Sequence, residues 1–592
     1  MDRRSLLTGA AAAGISRTIP LSARAAGFCR ARPGDRRWPT GAAWAALKAS
    51  VGGALTRPVS PYEACKAESD GCFKLLRNPF YLGDQPGGTQ VAGWLDAWSP
   101  QQSAYAVGAR NAADVAAAVD FARRHDLRLA IKGGGHSYQG TSNAADSLLI
   151  WTRAMHDIEL HDAFIPRGCA GRAAGEPAVS VGAGAIWIDA YDAVTTRAGR
   201  YVQGGGCTTV GVAGHIQSGG FGSFSKGFGL AAASLIEAEV VTADGVVRVV
   251  NACRHPDLYW ALKGGGGGGF GVVTRMTLRT HELPRTFGWA ELDIKATDDG
   301  AYRRLIDKFM AFYAKALLNP HWGEQAHIRH DNILQVRMVS QGLSDAEATD
   351  VWRPFLAFVA ASPHDYTLSG SPQIGVAPAR RWWDAEARRK AGDTSLVGDG
   401  RSGAPSSHAF WRGDQDQAGA YLHAYDSVWL PAALLRPSAG GRLANALFNA
   451  SRASDVELHF NKGLAGAPKV AIERASDTPI NPVALDAFAL AIVARGGLPP
   501  LPWLPKPDFT QAHRNVAAVA EAAAALRKAV PQAGSYVAES DFFNADWKRA
   551  FWGRNYARLK GVKARYDPKG LFFAHHGVGS EDWSADGFAR LS

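Results

Sequence analysis

Six consecutive glycines, Gly264–Gly269, constrain the fold of this chain more than any other feature. The run satisfies G-x-G-x-x-G, but it follows a helical segment and precedes an expected strand, Phe270–Leu278. A dinucleotide fingerprint follows a strand and opens a helix, so a doubly wound dinucleotide fold is excluded. Neither G-x-x-x-x-G-K-[ST] nor G-x-S-x-G occurs, which removes the phosphate-loop and serine-hydrolase readings. Glycine supplies 66 of 592 residues, about 11% against a usual 7% or so. Much of the excess is clustered, which points to close backbone approach, as around a ligand.

The length calls for two or three packed units. With 46% hydrophobic and 20% charged residues, the chain is neither disordered nor fibrous. The formal charge is +11, yet no run of five basic residues exists, which argues against nucleic acid. No uncharged apolar stretch after the start of the chain is long enough to span a bilayer.

Residues 1–25 read as a twin-arginine export signal: Arg3-Arg4, a small-residue apolar run to Ile15, and Ala23-Arg24-Ala25 as the cleavage site. The expected location is periplasmic or secreted. Six cysteines follow, Cys29, Cys65, Cys72, Cys169, Cys207 and Cys253, with no zinc spacing and hence no expected metal. Disulfides are expected chiefly among the first three, in an N-terminal leader over 26–97.

Periodicity then gives an α+β unit over 98–285. It has a strand at Tyr105–Val107, a helix capped by Asn111 and running to about His125, and strands at Leu127–Ile131 and Leu148–Trp151. A helix at Trp187–Ala198 and a hairpin turning at Asp244-Gly245 follow. A central domain over 286–530 alternates helices such as Tyr302–Leu318 and Val516–Val530 with strands at Ile333–Val339, Tyr421–Trp429 and Val456–Phe460. A Pro-rich excursion covers 498–507. The segment 531–592 is aromatic-rich and carries a helix, Asp546–Tyr566, stopped by Asp567-Pro568.

Two glycine-lined loops hold nucleophilic side chains. In Lys132-Gly133-Gly134-Gly135-His136-Ser137-Tyr138 the glycines allow successive N–H groups to form an anion nest suited to a pyrophosphate. In Gly204-Gly205-Gly206-Cys207-Thr208-Thr209-Val210-Gly211-Val212-Ala213-Gly214-His215 a single thiol sits among glycines. With Gly271-Val272-Val273-Thr274 and the tail sequence Trp552-Gly553-Arg554-Asn555-Tyr556-Ala557-Arg558-Leu559 through Asp567-Pro568, these loops resemble the vanillyl-alcohol-oxidase superfamily of FAD enzymes. Within it they are similar to the berberine-bridge-enzyme-like oxidases with a doubly tethered flavin. The resemblance covers about 100–282 and 536–580.

The resemblance implies a two-part FAD-binding domain of the vanillyl-alcohol-oxidase (PCMH) type, plus a central α/β substrate domain with an antiparallel sheet. It implies FAD bonded through His136 at the 8α-methyl and Cys207 at C6, with the surrounding loop residues, Gly271–Val273, Asn555 and Tyr556 as further cofactor contacts. Val210 falls at the family's oxygen-gate position, where valine resembles the oxidases, so O2 is the expected acceptor. A dehydrogenase passing electrons to a quinone or cytochrome, and a catalytically silent binding protein of the same fold, are the alternatives.

A base must take the hydroxyl proton as hydride leaves carbon. In Val456–Asn461 the alternation places Glu457, His459 and Asn461 on one polar face, and Tyr421, His423 and Tyr425 fall together in the same way. His459 is the expected base with Glu457 tuning it, Tyr536 is a rival, and Asn461 and Tyr421 complete the candidates. His575-His576 are expected to point oppositely near the flavin edge. The expected substrate is a small alcohol or a sugar, with H2O2 as product.

Overall fold

The computed structural model describes residues 27–64, 70–439, 441–501 and 504–591. The expected targeting segment, Cys65 and part of the Pro-rich excursion lie outside the described residues. No described helix is long and apolar enough to cross a membrane.

Two sheets build the N-terminal half. In the first, β1 (Leu55–Thr56), β2 (Tyr105–Gly108), β3 (Arg128–Lys132) and β4 (Ser147–Trp151) lie in the order β1-β2-β4-β3, with β2, β4 and β3 parallel. The crossover from β2 to β3 is the helix Ala112–Arg124, whose first turn is closed by the Asn111 side chain accepting from Asp114 N at 2.9 Å. The second sheet contains β5 (Ile158–Phe164), β6 (Glu176–Gly182), β7 (Arg200–Val202), β8 (Leu235–Val241), β9 (Val247–Asn251) and β10 (Val272–Glu282). Its order is β5-β6-β10-β8-β9, with β7 paired to β10. The β8–β9 hairpin turns where Gly245 takes φ +79°, a conformation open to glycine. The glycine run follows the helix Pro256–Leu262 and precedes β10.

The central sheet has eight antiparallel strands: β11 (Thr286–Ala296), β12 (Trp322–Ile328), β13 (Ile333–Gln341), β14 (Tyr366–Leu368), β15 (Gln373–Pro378), β18 (Tyr421–Pro431), β19 (Val456–His459) and β20 (Ala487–Gly497). The order is β14-β11-β13-β12-β19-β20-β18, with β15 beside β11. A small ribbon, β16 (Leu396–Gly398) with β17 (Ala409–Trp411), stands apart.

Side-chain alternation divides this sheet into two chemically different faces. Leu292, Ile294, Ala326, Val336, Leu458 and Ala491 pack against the helices Asp299–Phe312, Asp345–Ala360, Arg442–Ala453 and Phe509–Ala529 in one apolar core. The intervening residues Trp289, Gln325, His327, Arg337, Glu457 and Ile492 face a cavity.

Four expected helices differ in detail. Tyr302–Leu318 is an α-helix over Asp299–Phe312 and then a π-helical stretch, Tyr313–Leu317. Trp187–Ala198 is an α-helix only to Tyr191 and then a π-helical stretch, Asp192–Arg197. The helix expected from Val516 begins at Phe509, because Asp508 caps it by accepting from Gln511 N at 2.9 Å and its polar first turns carry no periodic signal. The tail helix is two helices, Trp547–Trp552 and Tyr556–Tyr566, separated where Gly553 adopts φ +53°.

The halves are joined by a buried lysine. Lys226 Nζ donates to Gly463 O at 2.8 Å, Ala465 O at 2.8 Å and Phe488 O at 3.0 Å, so all three ammonium protons are used. Burial pushes Lys226 down to about 7. Lys226→Met strands three enclosed carbonyls and is expected to cost about 3–5 kcal/mol, read as a lowered urea midpoint with unchanged slope.

Candidate active site

The cavity encloses ≈ 2010 Å³ between the polar face of the central sheet and two loops of the N-terminal half. The first loop, 133–138, leaves the end of β3. The second, 204–211, runs into the helix Val212–Gln217. They meet at glycine: a Cβ at Gly134 would lie 2.8 Å from Gly211 N, and one at Gly211 would lie 2.9 Å from Gly134 N. Side chains are excluded at both positions by backbone.

Each loop is anchored behind the seam. Gln90 N donates to Gly135 O at 3.0 Å, and Lys132 Nζ reaches Gly88 O at 2.5 Å. Trp187 N donates to Val210 O at 3.1 Å, Ile188 N to Thr208 O at 2.8 Å, and Tyr191 OH to Gly205 O at 2.6 Å. Across the seam, His136 Nε2 lies 3.1 Å from Thr209 Oγ1. Burial pushes His136 down to about 3, so its imidazole is neutral. Gly206, Cys207, Val210 and His215 line the cavity together with Tyr138, whose ring lies 5.1 Å from Tyr425. His215 Nε2 pairs with Phe221 O at 3.0 Å, while its Nδ1 is buried without a partner.

On the facing wall, His459 Nε2 lies 3.2 Å from Glu457 Oε2, and Gln325 Nε2 lies 3.4 Å from His459 Nδ1. Burial raises Glu457, but the hydrogen bond from His459 and the charges of His327, His459 and Lys462 outweigh it and leave the carboxyl at about 2. An ionised carboxylate only accepts, so His459 donates its Nε2–H to Glu457 and turns Nδ1 to the Gln325 amide. Asn461 is buried beside them with Oδ1 unpartnered.

Several sequence candidates sit elsewhere. Tyr421 packs with Leu95 and Ala512, away from the cavity. A bulge between Leu422 and Ala424 breaks the alternation, and His423 turns to Asn515 at 2.9 Å. Tyr536 accepts from Gly220 N at 3.2 Å inside a separate apolar cluster with Phe221 and Trp429. Val272 and Val273 are strand core residues, and Gly271 is required by Val240 Cγ2, 2.7 Å from its would-be Cβ. Asn555 holds Ile480 O at 3.0 Å and Tyr556 OH donates to Glu581 at 2.6 Å, so both brace the tail. Ser137 accepts from Thr141 Oγ1 at 2.7 Å, which shapes the first loop. His575 and His576 do not point apart: their rings stack at 3.9 Å, because His576 takes φ +50°.

The sequence reading missed four cavity groups. Lys462 and Glu539 form an ion pair at 2.5 Å. Glu324 sits at φ +64° within β12, a strained backbone for a non-glycine residue. Asp414 approaches Cys207, and burial raises it to about 6. Nothing in the local sequence distinguishes these four from surface charges. Cys169 and Cys253, left open by sequence, form a disulfide.

These residues fit a covalently held flavin. A neutral imidazole and a thiol emerge from glycine loops, open space surrounds Gly267 in the glycine run, and buried Asn461 Oδ1 and His215 Nδ1 have acceptor or donor capacity left over. The buried histidines also set acid stability. His136 and His576 are lowered to about 3, and His215 and His281 to about 4, whereas Asp414 opposes them as one carboxyl raised to about 6. Below about pH 6.5 the unfolded chain binds protons that the folded histidines refuse. Stability of the flavin-free chain should therefore fall as pH drops from about 6.5 to 4.5, before most carboxylates protonate, as read by urea unfolding across that window.

Comparison with known proteins agrees with this geometry. The FAD binding domain model matches residues 103–251, and the berberine and berberine-like model matches 535–579. The VAO-type flavoprotein oxidase VAO615 of Thermothelomyces thermophilus is 29% identical over 613 residues, covering 99% of each chain. The crystal structure of the VAO-type flavoprotein MtVAO615 from Myceliophthora thermophila C1 superposes with a TM-score of 0.76 at 26% identity, covering 95% of this chain and 100% of that one. A glucooligosaccharide oxidase from Acremonium strictum, with a 6-S-cysteinyl, 8α-N1-histidyl FAD, shares the fold at TM-score 0.64 and 17% identity, covering 90% and 99%. With its FAD-binding domain over 103–251, its antiparallel central sheet and its berberine-like tail over 535–579, the chain is an FAD-linked oxidoreductase that resembles the berberine-bridge-enzyme-like members of the vanillyl-alcohol-oxidase superfamily.

Proposed function

We propose that this enzyme is an oxidase that takes a hydride from the carbinol carbon of an alcohol or sugar hydroxyl, with FAD bonded to both His136 and Cys207, and reduces O2 to H2O2. The observation that carries the reading is the glycine seam. It holds the loop of His136, whose neutral imidazole contacts Thr209, against the loop whose Cys207 thiol lines a cavity with His459 and Glu457 on its other side. The doubly bonded FAD named for the glucooligosaccharide oxidase supports it. With His136 Nε2 engaged by Thr209, Nδ1 is the nitrogen left for a flavin bond.

Held by His136 and Cys207, FAD would supply the hydride acceptor and the path of the electrons to O2. The chain's own residues handle the proton. His459 Nδ1 takes the hydroxyl proton, displacing its contact with Gln325, and the ionised Glu457 stabilises the imidazolium that forms. Val210 on the cavity wall is small enough to leave O2 a path. Trp289, Trp382 and Trp411 line the wide cavity, and aromatic faces of this kind suit stacking against a sugar ring. Arg3-Arg4 supports twin-arginine export, and the Cys169–Cys253 disulfide supports a compartment outside the cytoplasm.

The tether reading is tested by His136→Ala, Cys207→Ala and the double variant. Each single change is expected to leave one covalent bond, and the double change to let acid precipitation strip the flavin; full retention in the double variant refutes the assignment. The base is tested by His459→Ala. Anaerobic flavin reduction is expected to slow about 10²- to 10⁴-fold with the flavin spectrum unchanged, and reduction at the wild-type rate removes His459 from the mechanism.

A further inference from the structure

Asp414 is the carboxylic acid set against the Cys207 thiol. Two bonds clamp its segment across the cysteine loop. Thr208 Oγ1 donates to Ala409 O at 2.7 Å, and the Trp411 indole N–H donates to Gly206 O at 3.1 Å. They flank Cys207 on both sides, so the thiol and the carboxyl are fixed relative to each other. The Asp414 carboxyl and the Cys207 thiol line the same cavity and couple electrostatically, and Asp414 Oδ2 is buried with no partner at all.

The other charges facing this pair are Glu324 and Lys462. Lys462 is committed to Glu539 at 2.5 Å, and Arg412, two residues from Asp414, turns away to Thr394 O at 2.8 Å. Asp414 is thus left as a basic carboxylate with one open valence. Burial, followed by the Asp414 charge, pushes the Cys207 thiol well up. Such a thiol does not ionise unaided, yet sulfur must lose its proton to act as a nucleophile.

We propose that Asp414 is the proton acceptor that activates Cys207 for bonding to flavin, so that the chain catalyses its own second tether. This rests on the bicovalent reading above. Asp414 takes the Sγ–H proton as Sγ forms a bond to ring carbon C6. The hydrogen on C6 leaves as a proton, and the electron pair of the broken C–H bond passes to O2, which takes up both protons as H2O2. One thiol, one ring C–H and one O2 therefore become one thioether and one H2O2, and Asp414 returns to its carboxylate.

The test follows flavin on tryptic peptides of the full chain by mass spectrometry, after FAD is supplied to protein expressed under riboflavin starvation. In Asp414→Asn the Cys207 adduct is expected to form about a hundredfold more slowly than in wild type, while the His136 adduct forms normally and reports an intact fold. Asp414→Glu is expected to restore attachment. A wild-type rate in Asp414→Asn overturns the proposal, as does equal loss in Asp414→Asn and Asp414→Glu. Absence of a Cys207 adduct in the wild-type chain overturns the bicovalent reading itself and is distinguished by that control.

Discussion

Where Gly134 and Gly211 meet, two backbones run so close that a methyl group on either would sit under 3 Å from a peptide nitrogen of the other. Neither loop can retreat, since hydrogen bonds from Gln90 and Trp187 hold each from behind. The seam therefore sets the separation of the loops by sterics rather than by a side-chain contact that mutation could adjust. His136 lies just beyond the seam on one loop and Cys207 just before it on the other. The same logic recurs at Gly204, where a Cβ would meet the Trp187 ring at 2.3 Å. The glycines thus trade conformational entropy for a rigid placement of two reactive side chains.

Opposite this rigid wall, the central sheet arranges charge. Glu457 on that sheet and Asp414 on the cysteine side of the cavity both line it, and burial raises both, but their neighbours separate them. Glu457 has two histidines and Lys462 around it and ends at about 2, whereas Asp414 has a thiol and Glu324 and ends at about 6. One is a permanent anion that orients an imidazole, and the other is a carboxylate with appreciable proton affinity. Divergent proton affinities of similar groups in one cavity mark a division of acid–base labour.

Much of this was legible in the sequence, for identifiable reasons. The glycine loops announced themselves because close backbone approach admits one residue type, and the strict alternation of Val456–Asn461 placed Glu457, His459 and Asn461 on the cavity face. The same rule failed at Tyr421–Tyr425 because a bulge at Leu422/Ala424 puts Tyr425 on the cavity wall and leaves Tyr421 and His423 together off it, and a bulge leaves no mark on a short apolar-polar pattern. Tyr536 was misplaced because an aromatic hydroxyl reads alike whether it meets substrate or caps Gly220 N. Asp414, Glu324, Lys462 and Glu539 were invisible, since each belongs to the site only through contacts between distant segments.

That dispersal bears on how such an enzyme is made. Cys207 comes from the flavin half, His459 from the central sheet, Asp414 from the short helix after the small β-ribbon, and Glu539 from the tail. Lys226 locks the first two only when the carbonyls of 463, 465 and 488 converge on its ammonium group. No part of the chain holds the cavity before all of it has closed, so attachment of a flavin to both loops requires a folded protein. FAD is synthesised inside the cell, and a chain threaded unfolded across a membrane would reach the other side before its site existed. The export of a folded protein proposed above would satisfy that order of events: close the four segments, bond the flavin, then leave.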